Sequence, residues 1–152
     1  MRYEHLVQIN DLEQTELPLL ERSQLWLGLV TRAERPELFD PTIDATELLH
    51  REQHSLQLSC RRASRITLES VRLVPEDSIE VTVGAGSGFA GSRLTVRIEE
   101  PAPHALFLRF VYELRGPEVP EDEAERRALR QAYFFADLET TRQIRALAPI
   151  LV

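Results

Sequence analysis

The chain predicts an α+β fold in which a curved antiparallel sheet grips a long C-terminal helix. Three observations carry this. One alternating stretch opens the sequence, five or six more run between about Ile43 and Leu114, and a helical stripe occupies about Glu121 to Leu147. A shorter amphipathic helix, roughly Glu21–Arg35, lies between the first strand and the rest. Short links between consecutive strands favour antiparallel pairing. A curved sheet closed by a helix leaves space between them, so the pattern points to a container for a small molecule.

The first strand, Arg2–Ile9, puts Tyr3, His5, Val7 and Ile9 on one face and Glu4, Leu6 and Gln8 on the other. Asn10-Asp11 supplies turn chemistry at its end. In the first helix Leu25, Trp26, Leu29, Val30 and Ala33 recur at the three- and four-residue steps of a single buried face, and Pro36 stops it. A short turn, Glu37–Phe39, precedes Pro41. Strands are then expected over Ala45–His50, around Leu56, Leu58 and Cys60, over Arg65–Leu73, around Ile79, Val81 and Val83, around Leu94, Val96 and Ile98, and over Leu106–Leu114. Turns fall at Pro75-Glu76-Asp77, at Gly84–Gly91 and at Pro101-Ala102-Pro103. Gly116-Pro117 breaks the sheet. Pro120 and the acidic run Glu121-Asp122-Glu123 suit a helix start, where carboxylates oppose the positive dipole end. The last helix should bury Leu129, Ala132, Tyr133, Ala136, Thr140, Ile144 and Leu147. Alanines at 132 and 136 would let it approach the sheet closely. Phe134 and Leu138 form a second apolar group nearly opposite, read either as a contact with a loop or as a homodimer surface.

Composition narrows the function classes. At 152 residues the chain is expected to be one domain spanning 1–152. A chain of this length buries roughly 68–70% of its unfolded surface, enough for a core and a modest cavity. The net charge of -7 disfavours a nucleic-acid backbone as partner. All 18 basic residues are Arg, which excludes a Schiff-base lysine and reads as the bias of a GC-rich, bacterial genome. The single Cys60 cannot form an internal disulfide or a cysteine metal cluster. No apolar run approaches the ~20 residues of a membrane span, and MRYEHLVQIND is too polar for a signal peptide. A cytoplasmic location is the expectation.

Gly86-Ser87-Gly88-Phe89-Ala90-Gly91 matches G-x-G-x-x-G, but the motif binds pyrophosphate only where a helix N-terminus stands directly after the glycines. Here the next stretch alternates like a strand. Dinucleotide binding is therefore rejected, and the glycines are read as a hairpin loop able to gate a cavity mouth. His50, Glu52 and His54 could share a strand face and ligate a metal, yet a turn within this segment would scatter them; no metal site is expected. Glu69 shares parity with Val71 and Leu73. If that face is internal, its carboxyl lies in the cavity with a raised pKa and suits general acid–base work; otherwise a bulge or an arginine partner occupies it. His5, on the Val7/Ile9 face, is either a core histidine held by a hydrogen bond or a base. No serine sits in a nucleophile elbow, and mid-strand Cys60 reads as a small hydrophobe.

Taken together, Tyr3-Glu4-His5-Leu6-Val7-Gln8-Ile9-Asn10, the stretch Gln24 to Glu34, Gly91 to Pro101, Leu106 to Tyr112 and Ala132-Tyr133-Phe134-Phe135-Ala136-Asp137 resemble the SRPBCC (START/Bet v 1-like) superfamily, and within it the AtaL-like branch. The resemblance spans almost the whole chain in order. It implies a helix-grip fold: a seven-stranded antiparallel sheet around a long C-terminal helix, with two short helices closing one end and an apolar cavity inside. Superfamily members bind lipids, sterols, plant hormones or polyketides, and some are aromatase/cyclases. The branch takes its name from a fungal secondary-metabolite cluster. No cyclase constellation maps onto this chain residue by residue.

The expected function is binding of a hydrophobic or aromatic small molecule, lipid- or polyketide-like, in the internal cavity. The expected lining is Trp26, Leu29, Phe39, Leu58, Val71, Val81, Val96, Phe110, Tyr112, Tyr133, Ala136 and Thr140, with Glu69 and His5 as polar or catalytic candidates. No cofactor is expected. Two alternatives stand beside this reading. One is a cyclase- or isomerase-type enzyme with Glu69 or His5 as base. The other is a protein-interaction module using the outer helix face, which requires an interior too tightly packed to hold a ligand.

Overall fold

The computed structural model describes residues 1–14, 16–84 and 90–150. Among the described residues there are seven strands and two α-helices: β1 (Arg2–Gln8), α1 (Arg22–Glu34), β2 (Ala45–Glu52), β3 (Ser55–Arg62), β4 (Arg65–Val74), β5 (Ser78–Val83), β6 (Ser92–Glu99), β7 (Phe107–Leu114) and α2 (Glu123–Leu147). The strands form one antiparallel sheet in the order β1-β7-β6-β5-β4-β3-β2. Strands β2 to β7 run as a continuous meander. The first strand joins β7 at one edge, so the chain must cross the whole sheet, through α1, to begin β2 at the other. Of the two short helices expected, α1 is the first. The second is the single 3₁₀ turn Pro36–Leu38, which Pro36 opens and Pro41 follows too closely to allow another turn.

Alternation predicts the inner face of the strands other than β2, whose residues are almost all exposed. Val7, Leu56, Leu58, Cys60, Val71, Leu73, Ile79, Val96, Ile98, Leu108 and Phe110 are buried. Strand pairing lines these residues up in rows across the sheet. One row runs His5, Phe110, Val96, Ile79, Leu73; the next runs Tyr3, Tyr112, Leu94, Val81, Val71, Leu56; a third runs Leu114, Ser92, Val83, Glu69, Leu58. The first row is dry, and α1 and the C-terminal part of α2 help enclose this end of the interior. The other two rows lead towards a cavity.

Helix α1 begins with Gln24 accepting a hydrogen bond from the Glu21 N–H at 2.8 Å. It crosses α2 at Gly28, where a Cβ would stand 2.4 Å from Ile144 Cγ2. At the start of α2, Asp122 accepts from the Ala124 N–H, and Glu123 and Glu125 occupy the first turn. Asn10 does more than end β1. Its buried side chain accepts from the Leu20 N–H and donates to the Leu20 and His104 carbonyls, each at 2.9 Å. It thereby ties two loops to the strand. Arg145 of α2 donates to the Ile9 and Pro18 carbonyls and fixes the helix to the same corner.

One expectation about α2 needs correction. The inward stripe is Tyr133, Asp137, Thr140 and Ile144, whereas Ala132 and Ala136 are exposed. The close approach happens instead at Gly28 of α1. Of the Phe134/Leu138 pair, Phe134 is exposed and Leu138 is partly buried. Leu138 packs on the core, and Phe134 meets the His5 ring edge-on at 5.5 Å. Here β1 underlies the flank of the helix, so the apolar side chains read as a dimer surface are partly used within the chain. The gating loop expected from the glycine run falls on 85–89, outside the described residues. Strand β6 comes next in the chain, antiparallel to β5, so no helix stands behind the glycines.

Candidate functional site

Between the sheet, the end of α1 and the middle of α2 lies a cavity of about 450 Å³, inside the range of roughly 300–1,000 Å³ typical of small-molecule sites. Its sheet wall is Val81, Val83, Leu94, Tyr112 and Leu114. Tyr133, Ala136, Asp137 and Thr140 come from α2, and Ala33, Pro36, Phe39, Pro41 and Ile43 close the α1 side. Most of this surface is apolar. A smaller adjoining recess shares Arg62, Glu69, Val83 and Ser92 with it.

Two polar groups are set in the wall. The first gathers at the α1 side: Glu69 from β4, Arg62 from β3, Arg32 from α1 and Asp40 from the turn beyond α1. Asp40 and Arg62 form an ion pair at 2.9 Å. Glu69 does point inward, as its parity requires. Burial pushes its carboxyl above the usual range, and Arg32 and Arg62 pull it back only in part. The neighbouring Cys60 thiol is pushed up to about 11, first by burial and then by the Glu69 charge. It is an unreactive hydrophobe at neutral pH.

The second group belongs to α2 and was not legible in the sequence. Asp137 is 1% exposed. Both of its oxygens accept from the Tyr112 hydroxyl at 2.8 Å. The His5 Nε2 lies 2.8 Å from Asp137 Oδ2, but neither ring nitrogen has an aligned hydrogen bond among the described residues. The two groups stand in contact without an aligned hydrogen bond. Tyr3, Phe110, Tyr112 and Phe134 surround the imidazole. Tyr133 stacks on Tyr112 with centroids 3.9 Å apart and planes 7° from parallel, a flat aromatic wall facing the cavity. Burial and then the Asp137 charge hold both tyrosine hydroxyls in the protonated form. Asp137 was missed because it sits one position beyond Ala136. Placing a polar residue on the helix's buried face violates the periodicity used to find that face, and its one sequence signal is its four-residue step from Tyr133 and three-residue step to Thr140.

Of the expected lining residues, Phe39, Val81, Tyr112, Tyr133, Ala136 and Thr140 border the cavity. The other six do not. Leu29, Leu58, Val96 and Phe110 are wholly buried in the core, Val71 is nearly so, and Trp26 packs on the core's edge. The physical reason is common to the strand residues. Parity gives the face of a strand but not the depth at which the helices stop filling the space above it. His5 is not a lining residue and sits behind the wall, against Asp137 and Tyr112. His50 and Glu52 are an exposed pair at 3.1 Å, and His54 lies in the turn after them. No group of three or more His, Cys, Asp or Glu is placed to hold a metal among the described residues.

This architecture, a seven-stranded antiparallel sheet around a C-terminal helix with a cavity between, is the helix-grip fold of Bet v 1/START-like structures. The di-domain ARO/CYC StfQ from the steffimycin biosynthetic pathway superposes with a TM-score of 0.68 at 13% identity, over 97% of this chain and 50% of that one. The Zhui aromatase/cyclase from a Streptomyces species gives 0.61 at 14%, over 98% and 93%. A START superfamily protein from Mycobacterium smegmatis gives 0.58 at 14%, over 96% and 98%. At such identities the likeness establishes the fold alone. Within that fold the chain belongs to the AtaL family, described as acetylaranotin biosynthesis cluster protein L, which matches residues 5–149. No curated protein matches it.

Proposed function

We propose that the chain binds a hydrophobic, aromatic small molecule in the cavity between sheet and helix. One observation carries this reading: an apolar space of about 450 Å³ retains a stacked pair of tyrosines on one side and a charged cluster on the other. Burying apolar ligand surface there contributes about 25 cal/mol per Å², and the few polar groups fix orientation. An interaction module would need no such space. Among the described residues no helix is long and apolar enough to cross a membrane.

A fused-ring alcohol, naphthylmethanol, is a suitable neutral probe. Calorimetry should show one molecule bound per chain. Leu94 stands in the cavity wall between Val81 and Tyr112, so Leu94→Trp fills the space and should abolish binding while the protein stays folded. Undiminished binding in that variant would place the ligand elsewhere.

A second reading, an enzyme of cyclase or isomerase type acting on a polyketide-like substrate, is supported by Glu69. A carboxyl whose hold on its proton is raised by burial inside a cavity can deliver that proton to a carbonyl oxygen, and three of the fold's neighbours carry the name aromatase/cyclase or ARO/CYC. Glu69→Gln separates the readings: lost turnover with ligand binding retained supports the enzyme.

A further inference from the structure

Nearly every charged group around the cavity has a partner of its own. Asp40 is paired with Arg62 at 2.9 Å, and Glu139 with Arg142 at 2.8 Å. Asp137 accepts from the Tyr112 hydroxyl and stands 2.8 Å from His5 Nε2. Arg93 lies 3.7 Å from Glu113 and 3.9 Å from Glu80. Arg32 differs. No hydrogen bond or ion pair holds its guanidinium among the described residues, and its Nε is buried without an acceptor.

The residue is nevertheless firmly placed. It stands in the last turn of α1, one residue before the buried Ala33, and lines the cavity. The acidic group that interacts with it is Glu69, yet among the described residues no hydrogen bond or ion pair joins the two, so the guanidinium's donors stay open towards the cavity. An unpaired, partly desolvated guanidinium is costly to maintain. A planar fork of N–H donors is also the group best matched to two carboxylate oxygens.

We propose that Arg32 is the anchor for a carboxylate on the ligand, making the natural ligand an aromatic or polycyclic acid rather than a neutral hydrocarbon or sterol. This rests on the cavity-binding reading above and names the ligand class for it. The carboxylate accepts from the Arg32 fork, and Glu69, where it carries its proton, donates a second hydrogen bond to the same group. The ring system then extends from Arg32 towards the stacked Tyr112 and Tyr133.

The test compares naphthoate with naphthylmethanol by calorimetry at pH 7. Wild-type protein should prefer naphthoate by about tenfold or more, the scale of one charge-assisted hydrogen bond. Arg32→Met should lose that preference, and Arg32→Lys, which keeps the charge without the planar fork, should retain part of it. Glu69→Gln removes the neighbouring carboxyl's residual charge and should strengthen naphthoate binding severalfold, which keeps the proposal testable if Arg32→Met folds poorly. Equal affinity for the two probes in wild type, or a preference that survives in Arg32→Met, overturns the assignment of Arg32 while leaving the cavity reading intact. Failure of both probes to bind wild type overturns the cavity reading and this one with it.

Discussion

The inner face of the sheet has two halves built from the same alternation, and they differ in what stands above them. In the dry half, Phe110, Val96, Ile79 and Leu73 form one cross-strand row, and α1 and the Ile144 end of α2 fill the volume with them. One step along each strand, Tyr112, Leu94 and Val81 face open space, and beyond them Leu114, Ser92, Val83 and Glu69 do the same. The change from packed to open coincides with a change of chemistry. Aliphatic side chains give way to tyrosine hydroxyls, a glutamate and arginines. Where α2 stands back from the sheet, ligand or water can satisfy polar groups on the wall; where it closes on Tyr112, the buried hydroxyl needs a partner from the helix and finds it in Asp137.

The comparison is sharpest where truncation removes the same kind of contact from each half. Phe110→Ala should destabilise the protein by about 3–5 kcal/mol, since a packed row cannot collapse into the gap. Leu94→Ala, in the neighbouring row, should cost about 1 kcal/mol or less, because its side chain already borders empty volume. Chemical denaturation measures both, and similar losses would mean the cavity half is as tightly packed as the other. Asp137 marks the boundary. Its removal in Asp137→Ala strands the Tyr112 hydroxyl and the His5 ring, and an unfolding loss of about 2–3 kcal/mol is expected; a value near zero would show that the pair of contacts is dispensable.

Closure of the dry half depends on Gly28 lying against Ile144. Ala is a better helix former than Gly by about 1 kcal/mol, yet Gly28→Ala places a Cβ 2.4 Å from a wholly buried side chain. The net expected effect is destabilising by about 1 kcal/mol, with overpacking outweighing propensity. A rise in Tm would show that the helix crossing yields.

The smallest effect belongs to Glu69 and depends on pH. Its carboxyl is raised by burial, so its contribution to stability is fully present below the ordinary glutamate value of 4.5 and is lost as pH rises through the folded-state value. Glu69→Gln should therefore be the more stable protein at pH 7, by no more than about 4 °C in Tm. The difference should close as the solution is acidified below pH 4.5. A gap that widens in acid would mean that Arg32 and Arg62 dominate and that Glu69 is a paired structural carboxylate.

Much of this molecule was legible one residue at a time. Alternation assigned inward faces correctly on strands such as β3, β4 and β7, including the inward direction of Glu69, because a strand's period of two leaves only one choice once the apolar set is known. Pro36 marked where α1 ends, and Pro120 with the acidic run after it marked where α2 begins. Depth was not legible. Val71 and Glu69, or Phe110 and Tyr112, have identical parity, and the first of each pair is packed core while the second lines the cavity. Rotation of α2 was read slightly wrong for a related reason. A helix offers a continuous range of orientations, and the presence of Asp137 on the buried face makes sense only once Tyr112 of β7 and His5 of β1 are beside it, 25 and 132 positions away in the chain. The sequence by itself determined which elements form, their order and which side of each strand faces in, since those depend on local stereochemistry and period. Only the tertiary structure decided where packing stops and the cavity begins, because that limit is set by how far two helices reach across the sheet.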